Sequence, residues 1–237
     1  MVTKDWLLKV KGLTKIYGDH SVNTLDKTGP LFNSNQCPET GAIVACANID
    51  FTLHTGEVLG VVGESGSGKS TLVKQLYFDM QATAGNAYLN GYKGSDTNIL
   101  EVSNQQKRYL RNHKMGMVYQ NPRDGLNFRF SSMYETPAAF SGCMQQRVQI
   151  SKAIAYNPPL LFLDEVTTGL DVSVQAKVLD MIRRLQQDLN IAMIVVSHDL
   201  SVIRMLTERT IVMKNGRIVE KGLTDQILQD PQHGYTQ

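Results

Sequence analysis

The chain has 237 residues, of which 42% are apolar, and it carries a formal net charge of +2. This length suits one large domain or two small ones, with a sizeable core. A charge so close to zero argues against nucleic acid or an anionic membrane surface as the main partner. No apolar run reaches the roughly 18 residues of a membrane-spanning helix. Three cysteines form no disulfide framework, so we expect a cytoplasmic protein.

Short apolar runs alternate with amphipathic segments along the chain. A helix is predicted after residue 70, to about residue 79, and another where apolar residues recur between Val174 and Leu189. Near the end, two short strands flank Asn215-Gly216, a strong signal for a β-hairpin. Buried strands that alternate with helices predict an α/β fold around a parallel sheet. The predicted strands are 6–10, 44–53, 58–62, 115–119, 160–163, 191–196, 209–214 and 217–219.

Two stretches break this rhythm. Residues 18–43 are polar and predict an inserted loop, and residues 121–140 show little periodicity. The loop contains Cys37-Pro-Glu-Thr-Gly41, which has the outline of a zinc knuckle, with Cys46 and His20 nearby. These are three candidate ligands, whereas a structural zinc site needs four. We therefore favour a surface or docking loop over a zinc site.

Residues 63–70 match the pattern G-x-x-x-x-G-K-[ST], directly after an apolar strand and at the start of a helix. Glycines allow the backbone N–H groups of such a P-loop to converge on phosphate, and the positive helix end adds to the attraction. Lys69 is expected to reach the β- and γ-phosphates, and Ser70 to supply a Mg²⁺ ligand. The alternative, a glycine-rich turn with a chance Lys-Ser pair, is disfavoured by the flanking strand and helix. The residues of this loop that we expect to contact the nucleotide are Gly63, Glu64, Ser65, Gly66, Ser67, Gly68, Lys69, Ser70 and Thr71.

Polar side chains also follow three other predicted strands. The strand at 160–163 ends in Asp164 and Glu165. If this strand neighbours the P-loop strand, Asp164 lies near Mg²⁺, and Glu165 orients or deprotonates the attacking water. His198 could donate a hydrogen bond to the γ-phosphate, and Gln120 could bridge Mg²⁺ and water. The alternative for all four is a solvated polar group at a strand end.

In this order, the motifs resemble those of the ABC (ATP-binding cassette) ATPase family. The decisive element is Phe140-Ser-Gly-Cys-Met-Gln-Gln-Arg147, which is similar to the signature motif of that family. The resemblance implies a P-loop fold with a parallel core sheet, an antiparallel β subdomain and a helical subdomain that is shortened at 121–140. It also implies that residues 1–237 form a single domain that binds ATP and Mg²⁺ and hydrolyses ATP.

The resemblance implies a head-to-tail dimer with an identical or paralogous subunit. In such a dimer Ser141 and Gly142 of one subunit cap the γ-phosphate of ATP bound to the other. Tyr17 would stack on adenine, and Asp171 belongs to a segment that resembles the D-loop, which touches the opposite subunit. The expected catalytic residues are Glu165, His198, Gln120 and Lys69, and the expected metal ligands are Ser70, Gln120 and Asp164.

Within the family, the chain most resembles the ATP-binding subunit of the bacterial carbon–phosphorus lyase system, followed by oligopeptide-importer ATPases. The implied partner is the soluble carbon–phosphorus lyase core complex, with transmembrane permease subunits as the alternative. Cys143 replaces a signature glycine and Val166 replaces a proline. With the short segment 121–140, these departures leave open a nucleotide-gated docking module with little turnover. The phrases that carry the likeness are 140–147, 169–175 and 222–226.

Overall fold

The computed structural model describes residues 5–18, 24–125 and 142–237. Within these ranges the apolar runs become nine strands, most of them short and buried. They are β1 (Trp6–Tyr17), β2 (Ile43–His54), β3 (Val58–Val62), β4 (Ala84–Leu89), β5 (Met115–Val118), β6 (Leu160–Asp164), β7 (Ala192–Val196), β8 (Arg209–Lys214) and β9 (Arg217–Leu223).

Helices of very different lengths separate these strands. The α-helices in the described ranges are α1 (Lys69–Leu76), α2 (Asn104–His113), α3 (Pro122–Gly125), α4 (Gly142–Ile154), α5 (Val172–Leu189), α6 (Leu200–Leu206) and α7 (Thr224–Gln229). Side chains cap the N-termini of α2, α5 and α6: the Ser103 hydroxyl accepts from Gln106 N–H, the Asp171 carboxylate from Val174 N–H, and the Asp199 carboxylate from Ser201 N–H.

The strands form two sheets. The larger has the order β5-β6-β7-β3-β8-β9, and its first five strands are parallel, whereas β9 pairs antiparallel with β8. The smaller sheet has the order β2-β1-β4 and is antiparallel throughout. The predicted parallel core, antiparallel β subdomain and C-terminal hairpin are therefore confirmed. The shortened helical subdomain falls largely on residues 126–141, outside the described ranges.

One expectation about neighbouring strands is wrong. The strand that carries Asp164 does not adjoin the P-loop strand, because β7 lies between β6 and β3. Val196 of β7 pairs with Asp164 on one side and with Val61 of β3 on the other. Residue patterns report which segments are strands, but the order of parallel strands depends on how the crossover helices pack.

Parallel strands that are buried on both faces explain the continuous apolar runs. Successive side chains of β3 point to opposite faces of the sheet. Leu59 and Val61 belong to an apolar cluster that includes α1 and the smaller sheet. Val58 and Val62 belong to a second cluster that includes α5, α6 and α7. The sheet thus has a core on each side, and its carboxyl edge is left to polar groups.

An ion pair between a partly exposed arginine and a buried carboxylate links the two sheets. Glu57, at 4% exposure, lies in the turn between β2 and β3, and its Oε1 is 3.1 Å from Nε of Arg209 on β8. The same arginine donates to Thr52 O at 2.7 Å. We expect Arg209→Ala to destabilise the fold by about 2 kcal/mol, because it removes a charge partner from a buried carboxylate. The melting temperature should fall by about 4–8 °C.

A matched control for this prediction is Arg184→Ala. Arg184 pairs with Asp180 at 2.9 Å, but both side chains are more than half exposed, and exposed ion pairs contribute little. Differential scanning calorimetry of both variants should show a loss at position 209 only. Equal losses would contradict a link between the sheets through Arg209.

Candidate functional site

The loop between β3 and α1 curls around the start of the helix. Gly68, the N-cap of α1, has φ 104°, a value that favours glycine. A Cβ at this position would lie 1.9 Å from the carbonyl oxygen of Ala45 on β2. The backbone of the loop can therefore approach β2 only because residue 68 has no side chain. The predicted P-loop has the strand–loop–helix context that phosphate binding needs.

Lys69 is held at the base of this loop. Its ammonium donates to the carbonyl oxygens of Gly63 and Glu64, each at 2.8 Å. The residue is 4% exposed, and burial lowers the pKa of its ammonium, although the carboxylates of Glu165 and Asp164 act against this shift. A desolvated ammonium that faces the loop is suited to bind phosphate oxygens.

Ser70 and Asp164 meet across the sheet edge. The Ser70 hydroxyl, on α1, donates to Oδ1 of Asp164 at 2.8 Å, although β7 separates β6, which ends in Asp164, from β3, which leads into the P-loop. Asp164 is 2% exposed. Burial raises the pKa of its carboxyl group, while the hydrogen bond from Ser70 and the charge of Lys74 lower it. Two oxygen atoms this close together, one of them on a buried carboxylate, could bind a hard cation.

Three side chains hold the carboxylate of Glu165. Gln120 and Thr168 donate to Oε2 at 3.1 and 3.3 Å, and Nδ1 of His198 lies 3.4 Å from Oε1. The backbone N–H of Glu165 also donates to Val196 O at 3.0 Å. Glu165 has φ 49°, an unfavourable value for a residue other than glycine. The carboxylate is therefore fixed in one position from several directions, as a catalytic group needs to be.

A cavity of about 390 Å³ lies above the P-loop and brings most of the predicted site residues together. One wall is the loop itself, another is Tyr17 at the end of β1, and Gln120 and Glu165 close the far end. The predicted residues that line the cavity are Tyr17, Ser65, Gly66, Gly68, Lys69, Ser70, Thr71, Gln120 and Glu165.

Several predicted residues lie elsewhere. Asp164 does not line the cavity, but it accepts a hydrogen bond from Ser70, which does. His198 contacts Glu165 and borders a second cavity. Asp171 is exposed and caps α5, so its predicted contact with nucleotide or partner stays a prediction. Ser141 lies outside the described residues. Of the P-loop residues, Gly63 and Glu64 border the second cavity, and Ser67 is buried. Gly142 is the first residue of α4.

Three further residues line the cavity that the motifs do not identify: Asn35, Ile43 and Ala45. The Asn35 amide, which comes from the inserted loop, donates to Gly66 O at 3.3 Å. No sequence signal marks this residue, because the loop that carries it has no periodicity. The P-loop, by contrast, is recognised from its spacing together with the strand and the helix on either side of it.

Cys37 of the predicted loop and Cys46 of β2 are both buried and free. The thiol of Cys46 donates to Gly68 O at 3.6 Å, and burial raises its pKa to about 12. Hydrogen bonds from Thr40 lower the pKa of Cys37. Among the described residues, no group of His, Cys, Asp and Glu side chains has a metal-binding arrangement, and His20 lies outside them.

This fold and this site define a P-loop nucleotide-binding protein, and comparisons with known proteins narrow the class. The model of the ABC transporter family matches residues 46–134. The putative phosphonates utilization ATP-binding protein PhnK of Escherichia coli is 38% identical over 227 positions, which cover 81% of this chain and 88% of the relative. The oligopeptide transport ATP-binding protein OppF of Lactococcus lactis is 37% identical over 233 positions, covering 83% and 71%. The chain belongs to the ABC transporter ATPase family and is an ATP-binding ATPase of that type.

Comparison with solved structures indicates the same fold. The dimeric ATP-binding cassette MJ0796, bound to ADP and Pi in a post-hydrolysis state, superposes with a TM-score of 0.72 at 23% identity. The match covers 92% of this chain and 99% of that one. In the part of the chain that the structure describes, none of the helices combines the length and apolar character that crossing a membrane requires.

Proposed function

We propose that the chain hydrolyses ATP, with Mg²⁺, as half of a head-to-tail dimer. The observation that carries this proposal is the carboxylate of Glu165, which borders the nucleotide cavity and is held by Gln120, Thr168 and His198. A carboxylate so fixed can orient a water molecule and accept its proton. The similarity to PhnK, a putative ATP-binding protein of phosphonates utilization, supports ATP as the nucleotide.

The oxygen pair of Ser70 and Asp164 fits Mg²⁺, which prefers carboxylate and hydroxyl ligands. Gln120 would complete the protein ligands from the other end of the cavity. When bound, the ion would neutralise charge on the β- and γ-phosphate oxygens. A cation would also offset the desolvation that raises the pKa of Asp164.

The side chains and backbone of the protein bind the nucleotide and position the attacking water. Tyr17 supports the adenine ring, and the loop backbone with Lys69 binds the phosphates. Glu165 orients the attacking water and accepts its proton, while His198, in contact with that carboxylate, donates a hydrogen bond to the γ-phosphate. Catalysis is mostly positioning and charge neutralisation.

The partner copy would supply Ser141 and Gly142 to close the site. Gly142 begins α4, so the proposal places a helix N-terminus near the γ-phosphate. Asp171 would meet the opposite copy from the exposed N-terminus of α5. That the cassette MJ0796 is dimeric in its ADP and Pi state supports this arrangement.

We further propose that the dimer serves a cytoplasmic carbon–phosphorus lyase complex. The similarity to PhnK, a putative phosphonates utilization protein, supports this choice. An oligopeptide-type importer is the second candidate, because OppF is nearly as similar. Purification of the tagged chain from its own cells distinguishes them. Soluble lyase subunits in the eluate support the first candidate, and transmembrane permease subunits support the second.

A docking module with little turnover is the third candidate. The alignment with PhnK runs over 227 positions but involves only 81% of this chain, so the relative contains residues that this chain lacks. A gap of this kind is consistent with a shortened helical subdomain at 121–140. Tight ATP binding without phosphate release, alone and with the purified partner, would favour the module.

If two copies build each site, hydrolysis per chain depends on protein concentration. We expect the rate of phosphate release per chain to rise with concentration and then level off, and light scattering to detect a dimer only with ATP. The pairing follows from a site that each chain completes for the other. A rate per chain that is constant over a wide concentration range, with a monomeric mass throughout, would refute the dimer.

A further inference from the structure

The C-terminal segment folds back onto the P-loop. The backbone N–H of Glu64 donates to the hydroxyl oxygen of Tyr235 at 3.0 Å, across 171 residues of sequence. Tyr235 comes from the last residues of the chain, after α7. None of the motifs that define the site includes it, and it does not line the nucleotide cavity.

The peptide group that Tyr235 binds is the one that holds the P-loop lysine. This peptide joins Gly63 to Glu64: its N–H donates to Tyr235, and its C=O accepts from the ammonium of Lys69 at 2.8 Å. Lys69 has a second bond, to the carbonyl oxygen of Glu64, also at 2.8 Å. An ammonium has three N–H donors. Two of them bind these carbonyls, so their direction determines where the third can meet a phosphate oxygen.

Tyr235 is itself held firmly. The ammonium of Lys214 lies 4.6 Å from the centre of its ring, and its backbone N–H donates to Nδ1 of His233 at 3.1 Å. The carboxylate of Glu220 accepts from the backbone N–H groups of Gln232 and His233 at 2.8 and 3.2 Å. The ring also packs against the apolar cluster on the side of the sheet that carries α5 and α6. Burial raises the pKa of the Tyr235 hydroxyl, which keeps the group protonated.

We propose that Tyr235 is a positioning residue for nucleotide binding. Its hydroxyl fixes the orientation of the 63–64 peptide, and this peptide in turn fixes the ammonium of Lys69. The effect reaches the phosphates through two hydrogen bonds, without contact between Tyr235 and the nucleotide. This inference rests on the ATP site of the proposed function.

The test is Tyr235→Phe, which removes the hydroxyl and keeps the ring, its packing and its contact with Lys214. We expect ATP to bind about 3- to 10-fold more weakly, the effect of losing one ordinary hydrogen bond. Because this bond is present without nucleotide, the melting temperature of the nucleotide-free variant should fall by only about 2–4 °C, while the rise caused by ATP becomes smaller. Calorimetric titration and thermal melts give both values. Tyr156→Phe is the matched control, because Tyr156 is 72% exposed.

Two results would overturn the inference. Unchanged affinity for ATP in Tyr235→Phe would mean that the hydroxyl positions nothing. A lower melting temperature of the nucleotide-free variant, with the same rise on adding ATP, would mean that the bond only stabilises the fold. Failure of the wild-type chain itself to bind ATP would overturn the proposed function together with this inference, so the two failures are distinguishable.

Discussion

We expect the Glu165→Gln variant to bind ATP as the wild type does and to release phosphate at least about 100-fold more slowly. Glutamine keeps the shape of the side chain and can still accept from Gln120 and Thr168, which hold Oε2 at 3.1 and 3.3 Å. What it lacks is a basic oxygen that can accept a proton from water. This variant should therefore keep its affinity for ATP and lose most of its hydrolysis rate.

The measurement is phosphate release with Mg-ATP, beside a titration of ATP binding. Glu101→Gln is a suitable control, since Glu101 is exposed and lies outside the cavity. Retention of the wild-type rate in Glu165→Gln would show that another group activates the water. Because ATP would remain uncleaved, this variant should also hold the proposed dimer longest, and light scattering would detect it.

The second large effect is expected at Lys69. Replacing it with Met should weaken ATP binding by about 10- to 100-fold, since charged hydrogen bonds to phosphate contribute roughly 1.5–3 kcal/mol. The stability of the folded protein should not decrease. Burial lowers the pKa of this ammonium, so its charge opposes folding, and methionine removes that penalty along with the two bonds to Gly63 and Glu64. We therefore expect a melting temperature at or above that of the wild type.

The difference in stability between Lys69→Met and the wild type should depend on pH in a predictable direction. The unfavourable effect of the Lys69 charge is complete below its lowered pKa, and it disappears as pH rises from there towards the ordinary value of 10.5. The advantage of Lys69→Met should accordingly shrink at alkaline pH. Lys177→Met, at an exposed position on α5, provides the control in binding assays and in melts. Weaker ATP binding in a variant that also melts earlier would point to unfolding as the cause.

The parts of the site that the sequence predicts are those with local signals. β3 is predicted with its observed bounds, Val58–Val62, because a strand buried on both faces is a short, continuous apolar run. The P-loop follows from glycine spacing, and Asp164 and Glu165 from their position at a strand end. The sequence does not predict β4, because Ala84–Leu89 has no clear alternation. β1 runs on to Tyr17 through register shifts near Gly12, which interrupt the pattern.

Strand order and contacts between segments far apart in the sequence could not be predicted in the same way. That β7 lies between β3 and β6 is a property of helix packing and chain crossover, which residue periodicity does not report. The contacts of Asn35 with Gly66 and of Tyr235 with Glu64 join segments far apart in sequence. Each is a single hydrogen bond to a backbone atom, and such bonds place almost no demand on neighbouring residue types.

The strand order also has a consequence for the chain as it leaves the ribosome. Among the strands that the structure describes, β3, which leads into the P-loop, pairs only with β7 and β8. Both are made late, at Ala192–Val196 and Arg209–Lys214. Until then β6 cannot reach β3, and the pair of Ser70 and Asp164 cannot form. ATP can therefore stabilise the nascent chain only after most of the polypeptide has emerged, which leaves the earlier strands dependent on the smaller sheet, or on chaperones, during synthesis.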